Sequence, residues 1–103
     1  MGLDLTLNSI PKDGVEEEQY WRKNWVAVHF FEMENVKNKE VDVDDMNNYL
    51  EALVAWSESE ETMEGGEGWD EENILDEIST VKSLTKKMEE NRDKRTYYYH
   101  PWW

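Results

Sequence analysis

Residues 3–7 alternate apolar and polar side chains: Leu3, Asp4, Leu5, Thr6, Leu7. A period of two puts the leucines on one face of a half-buried strand. Asn8, Ser9, Ile10, Pro11, Lys12, Asp13 and Gly14 then read as a turn-rich loop. From about residue 15 to 35 the pattern predicts a first helix. Trp21, Trp25, Val28 and Glu32 follow one stripe, with Tyr20, Ala27 and Phe31 beside it. Glu16, Glu17 and Glu18 fall in its first turn, where the helix dipole favours anions.

A second helix is predicted over roughly 43–57, capped by Asp42 or Asp44. Met46, Tyr49, Leu50, Leu53, Val54 and Ser57 give it an amphipathic face. A third opens at Asp70 as N-cap, with Glu71 and Glu72 in the first turn. Ile74, Ile78, Val81, Thr85 and Met88 form its stripe, supported by Leu75 and Leu84, and Lys86 and Lys87 lie towards its end. The closing run Thr96, Tyr97, Tyr98, Tyr99, His100, Pro101, Trp102, Trp103 favours an extended strand. Pro101 marks an edge or an ending. Pairing this strand with residues 3–7 shelters both. The predicted architecture is α+β, with three helices packed on a small sheet formed by the N- and C-terminal strands. It occupies a single domain, 1–103, with an acidic, glycine-containing mobile loop at about 57–69.

Charge changes this picture. The formal net charge is −14 over 103 residues, alongside six tryptophans, five tyrosines and two phenylalanines. Strongly acidic chains usually lack the apolar surface needed to offset ordering entropy. Here each aromatic can hide roughly 150–250 Å², so the chain folds and presents a surface dense with carboxylates. There are no cysteines, which excludes disulfides and thiolate metal sites. The first residues have no basic segment and no apolar run of signal-peptide length, and no stretch approaches the ~20 apolar residues that span a bilayer. A soluble chain without a membrane partner is expected. The charge is also uneven: residues 58–72 hold eight acidic side chains and no basic one, whereas residues 82–95 hold six basic ones.

These landmarks resemble a family of small bacteriophage proteins. Its members open with a MGLD-type strand, carry a YWRK-type helix with a downstream histidine, and end in an aromatic YY…W tail. The matching residues are Met1, Gly2, Leu3 and Asp4; Tyr20, Trp21, Arg22 and Lys23 with His29; Gly68, Trp69, Asp70, Glu71 and Glu72; and Tyr98, Tyr99, Trp102 and Trp103. The resemblance spans the chain and implies a phage origin, hence action in the host-cell cytoplasm. This copy departs in its acidic loop, where such proteins often carry apolar, glycine-rich sequence.

No residue set spells out a reaction. His29 and His100 are the only histidines, and nothing in the spacing places Ser79 or Ser83 beside either as a nucleophile. Gly65, Gly66 and Gly68 stand among carboxylates that repel phosphate. Asp42, Asp44 and Asp45 resemble a fragment of a calcium loop but lack its glycine and closing glutamate. Neither an enzyme, a cofactor nor a metal site is expected. Direct nucleic-acid binding needs a positive footprint, and the net charge has the wrong sign.

Two functional expectations remain. In the first, a phage-encoded inhibitor docks on a basic surface of a host nuclease or defence effector, in the manner of anti-restriction or anti-CRISPR proteins that imitate nucleic acid. Its contacts would be Glu58, Glu60, Glu61, Glu64, Glu67, Asp70, Glu71 and Glu72, with Trp69 as anchor, since tryptophan is enriched at interface hot spots. In the second, Trp21, Arg22, Lys23 and His29 bind a small ligand, stacking a base and pairing a phosphate, and so sequester a nucleotide-type immune signal.

Overall fold

The computed structural model describes residues 3–10, 14–59 and 62–102. Its elements in chain order are β1 (Asp4–Ile10), β2 (Glu16–Arg22), α1 (Trp25–Phe30), β3 (Lys39–Val41), α2 (Val43–Ser57), α3 (Glu71–Glu90) and β4 (Thr96–Trp102). The strands form one antiparallel sheet in the order β2-β1-β4-β3. The two terminal strands lie side by side at its centre, with Leu5 opposite Pro101 and Leu7 opposite Tyr99. This is the expected pairing within the expected α+β class. The sheet is larger than expected because β2 and β3 flank the central pair.

The helices cover one face of the sheet. Leu3, Leu5, Leu7 and Tyr99 on that face are wholly buried, together with Met46, Tyr49 and Leu53 of α2 and Val81 of α3. Full burial of each such aliphatic side chain contributes roughly 1.5–3 kcal/mol. Phe31, which ends α1, sits 5.2 Å from the Tyr99 ring and 5.2 Å from Tyr49. It joins the short helix to both layers.

The expected helix over 15–35 is corrected: it is an edge strand followed by less than two turns of helix. Lys23 takes a left-handed φ of 58°, and its backbone N–H donates to the Leu3 carbonyl at 2.7 Å. That turn splits the helical stripe, leaving Trp21 in β2 and Trp25 in α1. Asn24 caps α1 by accepting from the Ala27 N–H at 3.1 Å, and Glu32, at φ 54°, follows its end. The leucine face of β1 needs a strand on each side, and that tertiary demand overrides helical spacing. The three glutamates therefore lie on a free sheet edge, where charge discourages pairing with another strand. Lys87 and Arg95 engage Glu18, and Arg95 also reaches Glu16 at 2.5 Å.

The other two helices match their sequence patterns. Asp42 and Asp45 form a reciprocal capping box at the start of α2, which accounts for the aspartates that resembled a calcium loop. Asn8, Ser9 and Ile10, expected in a loop, extend β1; Pro11, Lys12 and Asp13 lie outside the described residues. Among the described residues no helix is long and apolar enough to cross a membrane.

Candidate docking interface

The acidic segment joins α2 to α3, and both helix ends shape its field. α2 closes on Glu58 with no basic residue in its last turn, so the negative end of its dipole adds to the carboxylates there. α3 opens with a second capping box, in which Asp70 Oδ1 accepts from the Asn73 N–H at 2.8 Å and Asn73 Oδ1 accepts from the Asp70 N–H at 3.1 Å. Glu71 and Glu72 follow in the first turn, where the positive dipole end supports them.

Residues 63–69 are seated against the core by backbone hydrogen bonds and ring contacts. The Gly66 N–H donates to the Met63 carbonyl at 2.9 Å, and the Trp69 N–H donates to the Gly66 carbonyl at 3.0 Å. Trp69 packs on Trp56 with ring centroids 5.6 Å apart, and both belong to the core or its margin. Gly65 combines a φ of +88° with a close approach: a Cβ there would stand 2.6 Å from the Trp25 carbonyl oxygen and 2.7 Å from His29 Cδ2. A Cβ on Gly66 would collide with the Trp56 ring. The two glycines let the backbone lie flat on aromatic side chains.

On this pinned backbone Glu58, Glu64, Glu67, Asp70, Glu71 and Glu72 are all exposed. Among the described residues none of them is ion-paired to a lysine or arginine; His29 Nδ1 lies 3.7 Å from Glu64 and 2.8 Å from Glu34. Glu60 and Glu61, the remaining acidic candidates, lie outside the described residues. Trp69 is half-buried.

The ligand-type candidates divide. Trp21, Arg22 and Lys23 line an open groove of about 320 Å³ between the end of β2 and the first turns of α3, and Trp69 and Asn73 line it as well. His29 stands elsewhere, on a separate surface depression with Glu32, Glu34 and Glu64. The structure thus brings Trp21, Arg22 and Lys23 to Trp69, and His29 to the acidic loop.

The groove also exposes a residue that the sequence reading passed over. Glu77 is 2% exposed and lies at the groove margin. Its carboxylate accepts from Trp21 Nε1 at 2.9 Å, Asn24 Nδ2 at 2.9 Å and the Tyr49 hydroxyl at 2.6 Å. Burial pushes the carboxyl above its ordinary value, and the three donors restrain that rise. Tyr49 and Tyr99 are pushed well up, first by burial and then by the Glu77 charge. Glu77 ties β2, α1, α2 and α3 together and positions Trp21. The signal was in the stripe: position 77 falls three residues after Ile74 and beside Ile78, so a charged side chain stood on the apolar face of α3.

Chemically the region offers carboxylates and aromatic rings. Among the described residues no group of three or more histidine or carboxylate side chains is placed to hold a metal ion. Fold and surface together define a small two-layer α+β domain with one open sheet face and an acidic inter-helix segment. The chain matches no protein-family model, no curated protein and no solved structure.

Proposed function

We propose that this chain is an acidic inhibitor, of phage origin, that occupies a basic surface of a host nuclease or defence effector and so displaces nucleic acid. The observation that carries the reading is the set of exposed carboxylates at 58–72, free of lysine or arginine partners among the described residues and held on a backbone seated against Trp56 and Trp69. Duplex DNA presents one negative charge per ~1.7 Å of axis. A pinned row of carboxylates competes for such a channel without the ordering loss that a floppy acidic tail incurs. Trp69 supplies apolar contact through its groove-facing side.

The test begins with affinity capture from bacterial lysate, identification by mass spectrometry, and stopped-flow binding with the purified target. Replacing Glu58, Glu64, Glu67 and Glu71 by lysine should slow association by about tenfold or more at low salt, since exposed charges act mainly on the on-rate. Trp69→Ala should instead raise the off-rate. Binding that survives the four reversals across the salt range would sink the reading.

The groove favours a second reading, in which a nucleotide-type ligand stacks on Trp21 or Trp69 and pairs its phosphate with Arg22 and Lys23. His29 stands outside that groove and has no part in it. In this case the four loop reversals are silent, Arg22→Ala abolishes binding, and an ultraviolet-absorbing molecule accompanies the purified chain.

A further inference from the structure

We propose that the open face of the sheet carries a lane for a basic, extended segment of a partner protein, with two cationic side chains four residues apart. The helices cover the face that carries Leu5, Leu7 and Tyr99. On the opposite face the strand register sets Glu17, Asn8, Tyr98 and Glu40 in one row, crossing β2, β1, β4 and β3 in turn.

Asn8 and Tyr98, in the middle of the row, are half-buried, whereas Glu17 and Glu40 at its ends are exposed. Ile10, 46% exposed, stands on one side of the row, and Tyr20, 45% exposed, on the other. The row is therefore a shallow lane across the strands, with an apolar side chain on each flank and a carboxylate at each end. The neighbouring row, Tyr20, Thr6 and His100, is already covered at its centre: Thr6 is 3% exposed, and His100 Nδ1 lies 2.8 Å from the Lys37 carbonyl oxygen.

Charge chooses the occupant. Among the described residues neither Glu17 nor Glu40 is ion-paired, since Lys87 and Arg95 are taken up by Glu16 and Glu18. Arg22 lies opposite Asp4, two rows away from the lane. On a chain of net charge −14, two exposed carboxylates without a counter-charge attract a cationic partner and repel nucleic acid.

Spacing chooses the segment. Three strand intervals of ~4.8 Å place the two ends of the row ~14 Å apart. An extended chain advances ~3.4 Å per residue, so side chains at i and i+4, which point to the same side, also stand ~14 Å apart. The side chain at i+2 then comes down on Asn8 and Tyr98, where an apolar one meets the ring and Ile10. Asn8 offers a donor and an acceptor to the backbone of the crossing segment. Arginine fits the ends better than lysine, because its planar fork bonds a carboxylate through two parallel hydrogen bonds. A lane ~14 Å long suits five extended residues and is far smaller than the ~800 Å² per partner of a standard interface between folded proteins. It is separate from the acidic segment at 58–72, and either site can fail without the other.

The test titrates the isotope-labelled full chain with two capped pentapeptides of equal charge at about 0.02 M salt, followed by amide chemical shifts. In Arg-Gly-Leu-Gly-Arg the cations stand four residues apart; in Arg-Arg-Gly-Leu-Gly they are adjacent and point to opposite sides. The first should bind about fivefold or more tighter, because the second reaches only one end of the lane, and a charge pair at ~4 Å in water is worth about that factor. Its shifts should centre on Asn8, Glu17, Glu40 and Tyr98. Glu17→Gln combined with Glu40→Gln should abolish the preference, and both positions are exposed enough to leave the fold intact. Reversing Glu58, Glu64, Glu67 and Glu71 to lysine should weaken both peptides alike and leave the preference in place. Equal binding of the two peptides overturns the proposal. So does a preference that survives the double substitution, or a set of shifts confined to residues 58–72.

Discussion

Tyr49→Phe removes one oxygen from a side chain that is wholly buried. That hydroxyl donates to Glu77 Oε2 at 2.6 Å, while Asn24 serves the same oxygen and Trp21 the other. The change leaves almost no cavity, so its effect is the lost hydrogen bond. The size of that loss depends on the charge of the acceptor. Burial raises the Glu77 carboxyl above its ordinary value of 4.5, and of the three donors Tyr49 restrains the rise most. Because the folded value lies above the unfolded one, the folded chain binds the proton more tightly. The stabilisation linked to that proton is present in acid and is lost as pH rises from 4.5 through the raised value. Without the Tyr49 donor the value rises further and the loss is greater. In acid, where the carboxyl is neutral in both proteins, the substitution should cost about 1 kcal/mol, an ordinary net hydrogen bond. At higher pH, once the carboxylate is ionised, it should cost about 2–3 kcal/mol. Urea unfolding followed by tryptophan fluorescence at about pH 4, 6 and 8 measures it. A penalty that is flat with pH, or larger in acid, would show that Tyr49 does not donate to an ionised Glu77.

Two further outcomes follow from other parts of the fold. The Glu18 side chain is 3% exposed; burial alone would raise its carboxyl, but bonds from Lys87 and Ser9 and the charges of Lys87 and Arg95 bring it below the ordinary value. Its stabilisation is thus present above pH 4.5 and lost as pH falls through the lowered value, so Glu18→Gln should flatten the acid limb of a plot of melting temperature against pH, and an unchanged limb would refute the assignment. Gly66→Ala should force the Trp56 ring aside, cost about 1–3 kcal/mol as an overpacked site does, and speed hydrogen exchange at Trp69; unaltered melting and exchange would mean that the loop is not seated on Trp56.

Local signals in the chain determined the parts whose reasons are local. The caps at Asp42 and Asp70, the stripes of α2 and α3, and the leucine alternation each act within a few residues, and the helices and central strands appear where those signals lie. The acidic segment was legible too, because charge density along 58–72 needs no fold to be seen. What spacing could not decide was residues 15–35. Their aromatics fit a helical stripe, but β1 has two edges, and its second edge is satisfied only by a strand supplied from this segment. Glu77 was ambiguous for a related reason: a charge on an apolar stripe becomes tolerable only when Trp21, Asn24 and Tyr49 arrive from three other elements to donate to it. The pinning of the acidic loop was likewise invisible, since Gly65 and Gly66 read as flexible until Trp25, His29 and Trp56 are brought beneath them. Short-range patterns encode elements because their energetics are local. Pairing partners, buried charges and the seating of loops depend on which distant side chains share a space, and only the packed chain decides that.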